Sequence, residues 1–181
     1  MTRLRIFSDT DPSQALTETC DGALIAELLD RRGIRFERWN TPVQIAPGAS
    51  QEEVISAYRS DNDRLMAEKG YRAVDVVSLT PDHPDKAAFR QKYLNEHRHA
   101  EDEVRFFVAG AGLFTLHLDH QVYEVLCEQG DLIGVPDNTR HWFDMGPNPY
   151  FIAIRLFTNP AGWVANFTGT DIALQFPRLV N

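Results

Sequence analysis

Three side chains in one short stretch have the types and spacing of a metal centre, and a further histidine lies in a second stretch. His97 and His99 stand two apart in the run NEHRHAEDEVRFF, and Glu103 follows four residues after His99. His141 lies in a second stretch, beyond Gly130, Asp131 and Pro136. Neutral imidazoles with one carboxylate suit a divalent transition metal. Residues two apart on a strand share a face, so His97 and His99 can point at one ion. Glu103 sets a geometric demand. In an unbroken strand it would lie roughly 13 Å past His99, at about 3.3 Å per residue, so the chain must bend at Ala100–Asp102. With six histidines in 181 residues, chance supplies roughly 0.2 such His pairs, and roughly 0.02 with an acid at one set position. The pattern therefore exceeds coincidence.

The elements needed to position these groups follow from periodicity. From His97 onward VRFFV, LFTLHL, VYEVLC, DLIGVP, HWFDM and FIAIRLF are short β-rich runs, separated by the turn-forming clusters GAG, DHQ, EQGD, PDNT and GPNP. Six strands at such spacing predict an antiparallel sandwich or barrel, with a turn at Pro136–Thr139 presenting His141 on the next strand. The first ninety or so residues mix helix and strand. Leu24, Ile25, Leu28 and Leu29 mark a helix over Gly22–Arg32, stopped by Gly33. IRFERW alternates like a half-buried strand. Ser50 and Glu53 form a capping box that opens a helix with Val54, Tyr58 and Leu65 inward and Gly70 at its end. VDVVSL, residues 74–79, predicts a strand, and Pro84 to about Leu94 a short helix. The predicted architecture is mainly β with added helices: a single domain over 1–181, with an N-terminal α+β layer (about 1–95) on a metal-binding β-barrel (about 96–181).

Composition narrows the function classes. Hydrophobic residues make up 43% and charged residues 24%, the balance of a globular chain rather than a disordered one. The formal net charge is −8, which repels phosphate backbones and anionic lipid, so nucleic acid and membrane are not expected partners. The opening MTRLRIFSDTDPSQ lacks the apolar core of a signal peptide, and no apolar run reaches spanning length. Cys20 and Cys127 stand alone, which predicts two reduced thiols and a cytoplasmic location. A monomer is the expected state.

The two histidine stretches together resemble the two-part cupin signature. His97, His99, Glu103 and Gly110 match its first part at every position. Gly130, Pro136 and His141 match the second, while Asn138 replaces the turn glycine and Met145 the final asparagine. Asn tolerates a left-handed backbone, so the first departure is mild. FERW at 36–39, EKGY at 68–71, YLNEH at 93–97, HAEDEVRFF at 99–107 and HWFDMG at 141–146 extend the likeness over most of the chain, to the bacterial acireductone dioxygenase family. The resemblance implies a cupin-type antiparallel barrel (jelly roll). It also implies one Fe(2+) or Ni(2+) ion per chain on His97, His99, Glu103 and His141. The implied substrate is acireductone, 1,2-dihydroxy-3-keto-5-methylthiopentene, cleaved with O2 in methionine salvage. In that family the iron form gives 4-methylthio-2-oxobutanoate and formate, whereas the nickel form gives 3-methylthiopropionate, formate and carbon monoxide.

Other residues take roles around that centre. Arg105 shares the face of Glu103 if the strand is regular, and the resemblance makes it catalytic, a guanidinium stabilising substrate oxyanions. Glu96 and Asp102 flank ligands and are candidates to orient imidazole N–H groups or aid metal loading. Glu101 is a weaker candidate base. Tyr93, Phe143 and Trp163 are candidates for an apolar slot holding the methylthio tail. His117 is expected to be structural or solvent-facing, and His83 and His120 to lie in surface turns. Two other readings stay open: a cupin metalloenzyme with a different substrate, and a small-molecule-binding cupin without turnover.

Overall fold

The computed structural model describes residues 1–159 and 164–181 of the chain. Two antiparallel sheets enclose the core, and one long strand belongs to both. That strand, β6 (Glu103–Leu118), merges the expected VRFFV and LFTLHL runs into one. The intervening GAG is not a turn. Gly110 instead takes a left-handed conformation, φ +68°, and the pairing of β6 with β10 (Phe151–Phe157) slips at Ile152/Ala153. A side chain at Gly110 would put its Cβ 1.9 Å from the Tyr150 carbonyl oxygen. Glycine therefore lets β6 bend against its neighbour and pass from one sheet into the other.

The first half of β6 lies between β10 and β8 (Asp131–Val135). β4 (Ala73–Leu79) then pairs with β10, and β3 (Arg35–Arg38) with β8. The second half of β6 lies between β7 (Gln121–Glu128) and β9 (Arg140–Asp144). Outside β7 come β1 (Arg3–Ser8) and β2 (Thr17–Thr19). Outside β9 come the two-residue strands β5 (His97–Arg98) and β11 (Asn166–Phe167). The N-terminal half thus supplies edge strands to both sheets rather than a separate cover. β1 is a strand that the sequence reading passed over, although buried Leu4 and Ile6 alternate with Arg3 and Arg5.

Helix α1 (Gly22–Asp30) begins where the Asp21 carboxylate accepts the Ala23 and Leu24 N–H groups, 2.9 and 3.3 Å. The Ser50–Glu53 capping box is present, but the helix it opens is not continuous to Gly70. It divides at Tyr58 into α2 (Gln51–Ala57) and α3 (Arg59–Lys69). Tyr58 leaves helical geometry because its ring is buried edge-on against Phe106, 5.4 Å between centroids, and its hydroxyl donates to the Val43 carbonyl at 2.8 Å. Helix α4 (Lys86–Tyr93) then leads into β5.

Aromatic side chains fill the space between the sheets. Phe143 meets Phe114 at 5.0 Å and Phe151 at 5.6 Å, and all three are buried. Buried aromatic surface of this kind dominates core stability. The bend at Gly110 is expected to be the backbone's least tolerant point. Gly110→Ala should destabilise by about 2–4 kcal/mol through left-handed strain and overlap with Tyr150, measured as a lower denaturant midpoint; an unchanged midpoint would mean the strand can bend elsewhere.

Candidate metal centre

The short strand β5 ends almost as soon as it begins, and that is what builds the site. The chain turns through Ala100 and Glu101 before β6 starts at Glu103, which meets the demand that the HAEDE run must bend. His97 pairs across to His141 on β9. The turn at Asp137–Asn138, with Asn138 in the left-handed region (φ +57°), carries the chain from β8 into β9 as expected. One ligating atom from each of His97, His99 and His141 lies within 4.8 Å of the others. The ring centroids are 4.5 Å apart for His97–His141, 5.1 Å for His97–His99 and 5.2 Å for His99–His141. All three residues are buried.

Glu103 completes the group. Its Oε2 lies 3.6 Å from both His99 Nε2 and His141 Nε2. That is too long for a hydrogen bond, and among the described residues the buried Oε2 has no hydrogen-bond partner. Ligand atoms held at about 2.1 Å from one ion stand roughly 3 Å apart at right angles, so the spacing suits a shared cation. Such a cation would satisfy the orphaned oxygen. The other oxygen, Oε1, accepts from Arg105 Nε–H.

The imidazoles are prepared for the same task. His97 Nδ1 bonds the Asn95 carbonyl at 2.8 Å, His141 Nδ1 the Thr139 carbonyl at 2.8 Å, and His99 Nδ1 the Val164 carbonyl at 3.3 Å. An N–H on Nδ1 leaves the Nε2 lone pair for a ligand. Burial lowers the pKa of His97 to about 4 and lowers that of His99, so both stay neutral near pH 7. Burial alone would raise the Glu103 carboxyl, but the Arg105 guanidinium and the neighbouring imidazoles outweigh it and hold the group well below the usual carboxylate range. The donor set is therefore three imidazole nitrogens and one anionic oxygen, which fits iron(II) or nickel(II).

Arg105 is buried beside Glu103, its guanidinium carbon 4.9 Å from the Phe114 ring centre and 4.8 Å from that of Phe143. Among the described residues Nε–H to Glu103 is the one hydrogen bond it makes, which leaves its Nη groups for another oxyanion. Phe143 thus lies next to the centre. Tyr93 is half-buried and packs against the main core. Trp163 lies outside the described residues. Two expectations need correcting. Glu96 and Asp102 do not hold the ligand imidazoles, whose Nδ1 atoms face backbone carbonyls. Asp102 accepts the Asp137 N–H at 2.9 Å, and the buried Glu96 carboxylate turns to His117, Thr168 and Thr170. Those carbonyls were invisible to a reading of side-chain types. Glu101 is engaged by the Thr158 hydroxyl. His117 is buried and structural, and His120 is exposed.

A β-barrel of cupin type that gathers three imidazoles and a carboxylate from β5, the turn after it, β6 and β9 has the donor set of a metal-binding barrel. The comparisons make that class specific. Residues 3–165 match the model of the ARD/ARD' family, and the chain belongs to that family. A relative from Stenotrophomonas maltophilia (strain R551-3), named acireductone dioxygenase, is 61% identical over 180 residues, 99% of this chain and 97% of its own. One of the same name from Alcanivorax borkumensis is 61% identical over 176 residues, 97% of each chain. The solved structure of acireductone dioxygenase from Bacillus anthracis, with a cadmium ion in its active centre, superposes with a TM-score of 0.80. It is 29% identical, and the match covers 92% of this chain and 98% of that one.

The depressed His97 pKa has a consequence for stability. Between its ordinary value near 6.5 and its folded value of about 4, the unfolded chain binds more protons, so the metal-free protein loses stability as pH falls through that window. The loss attributable to His97 should reach about 3 kcal/mol by pH 4. Denaturant midpoints of metal-free wild type and His97→Asn at pH 7.5 and pH 4.5 check this. The wild type should lose more than the variant; equal losses would mean His97 titrates normally.

Proposed function

We infer that this chain is an acireductone dioxygenase, an oxidoreductase that binds one divalent metal ion through His97, His99, Glu103 and His141. The observation that carries the reading is the orphaned Glu103 Oε2 facing two imidazoles at 3.6 Å, in a chain that matches the family over nearly its whole length. The substrate is acireductone with O2, and the place of the reaction is methionine salvage. When bound, an iron(II) or nickel(II) ion would supply Lewis-acid chemistry for the enediol.

The chain's own residues do the rest. The three backbone carbonyls fix the imidazole tautomers, and Arg105 holds the Glu103 carboxylate by one oxygen. One carboxylate against a divalent ion leaves the centre net positive, and Arg105 adds a second positive charge. An enediol entering such a site is favoured as its dianion, the electron-rich form that reacts with O2. The Nη groups of Arg105 are free to hold one of its oxyanions. Phe114 and Phe143 pack side by side against the guanidinium and keep water from that side of it. Phe143, Tyr93 and Trp163 remain the candidates for the methylthio tail.

Iron and nickel share these ligands, so the donor set does not choose between them. Metal-free protein reconstituted with iron(II) should give 4-methylthio-2-oxobutanoate and formate, and with nickel(II) 3-methylthiopropionate, formate and carbon monoxide, identified by mass spectrometry and gas analysis. Oxygen uptake with a thiol or a flavonol, but not with acireductone, would reject the assignment. Arg105→Ala should lower turnover by about 10²–10³ with the metal retained, and Arg105→Lys should recover part of it as a point charge without the fork. Loss of metal from both variants would instead make Arg105 a support for Glu103 alone.

A further inference from the structure

Two of the imidazoles depend on one short segment near the C-terminal end. Val164 supplies the carbonyl that meets His99 Nδ1, and the Phe167 ring meets the His97 ring edge-on, 5.8 Å between centroids at 63°. The segment has little to anchor it. Its strand β11 is two residues long, and Val164 and Phe167 are 68% and 55% exposed. Something else must hold it against the histidines.

Glu96 does so. Its side chain is almost fully buried, 1% exposed, and it gathers groups from distant parts of the chain. Oε1 accepts from the Thr168 hydroxyl at 2.8 Å and the Thr170 hydroxyl at 3.1 Å. Its backbone carbonyl accepts the Thr168 N–H at 3.1 Å. Oε2 is bonded by His117 Nδ1 at 2.6 Å, and His117 Nε2 faces Asp9 Oδ2 at 3.3 Å. One carboxylate thereby ties the N-terminal loop, the end of β6, β5 and the 164–170 segment together.

We propose that Glu96, His117, Thr168 and Thr170 form a buried clasp that positions the His97 and His99 imidazoles for the metal by holding the 164–170 segment against them. The inference rests on the reading above that these histidines bind an ion. A buried carboxylate is costly unless its lone pairs are satisfied, so each donor has a reason to stay in place. The clasp touches neither ligand imidazole by a side-chain hydrogen bond. It acts through the Val164 carbonyl and the Phe167 ring, and its four members are positioning residues. Partners one step removed from a metal typically alter its affinity by about 10–100-fold.

The test is nickel(II) affinity, measured by competition with a chelator on the full chain, for wild type, the double variant Thr168→Val/Thr170→Val, the double variant Thr168→Ser/Thr170→Ser, and His141→Ala. The valine pair keeps shape and removes both hydroxyl donors, so it should bind nickel about 10–100-fold more weakly. The serine pair restores the donors and should bind like wild type. In the metal-free protein, amide exchange at Phe167 and Thr168 should quicken in the valine pair alone. If that pair melts below the assay temperature, Thr170→Val replaces it under the same criterion. Wild-type affinity in the valine variant overturns the clasp, and so does equal weakening in the serine pair. Failure of the metal reading looks different: wild type would not bind nickel, or His141→Ala would bind it equally well.

Discussion

A buried carboxylate with one oxygen held by a guanidinium and the other without a hydrogen-bond partner among the described residues sets the terms for this structure. Glu103 is 2% exposed, and Arg105 satisfies one oxygen but cannot reach around the other. A buried carboxylate oxygen left without a partner costs stability until something completes it. His97 and His99 do not protonate to complete it, since burial keeps both neutral. They supply lone pairs instead. Arg105 already balances the charge of Glu103, and the place facing Oε2 is left to an ion.

The fold can be understood as the means of bringing Glu103 to that position. β6 carries Glu103 and Arg105 at its start and His117 at its far end, and it bends at Gly110 so that one strand serves both sheets. β9 brings His141 alongside β5 and β6 at once. Aromatic rings from both sheets close the space beneath, and two of them flank the Arg105 guanidinium. Core packing and site electrostatics therefore share residues, and Phe143 belongs to both.

Much of the site was legible in the sequence because side-chain type and spacing carry ligand chemistry. The i, i+2 histidines, the acid four residues on, and the need for a bend at Ala100–Asp102 all appear in the fold. So do the capping box at Ser50 and the left-handed Asn138. What was not legible depends on tertiary context. The GAG run looks like a turn until Tyr150 is seen packed against Gly110. The helix expected to run to Gly70 breaks because Tyr58 finds Phe106 and the Val43 carbonyl. Glu96 beside His97 suggests direct support of an imidazole, yet a strand turns alternate residues to opposite faces, and its carboxylate points to His117 and the two threonines.

Whether three imidazoles and one carboxylate share one ion can be read from X-ray absorption at the nickel edge of the singly loaded protein. The expected spectrum has a shell of nitrogen and oxygen neighbours at about 2.1 Å, with the outer-shell scattering of three imidazole rings and no sulfur. A sulfur neighbour, or scattering from fewer than three imidazoles, would contradict it.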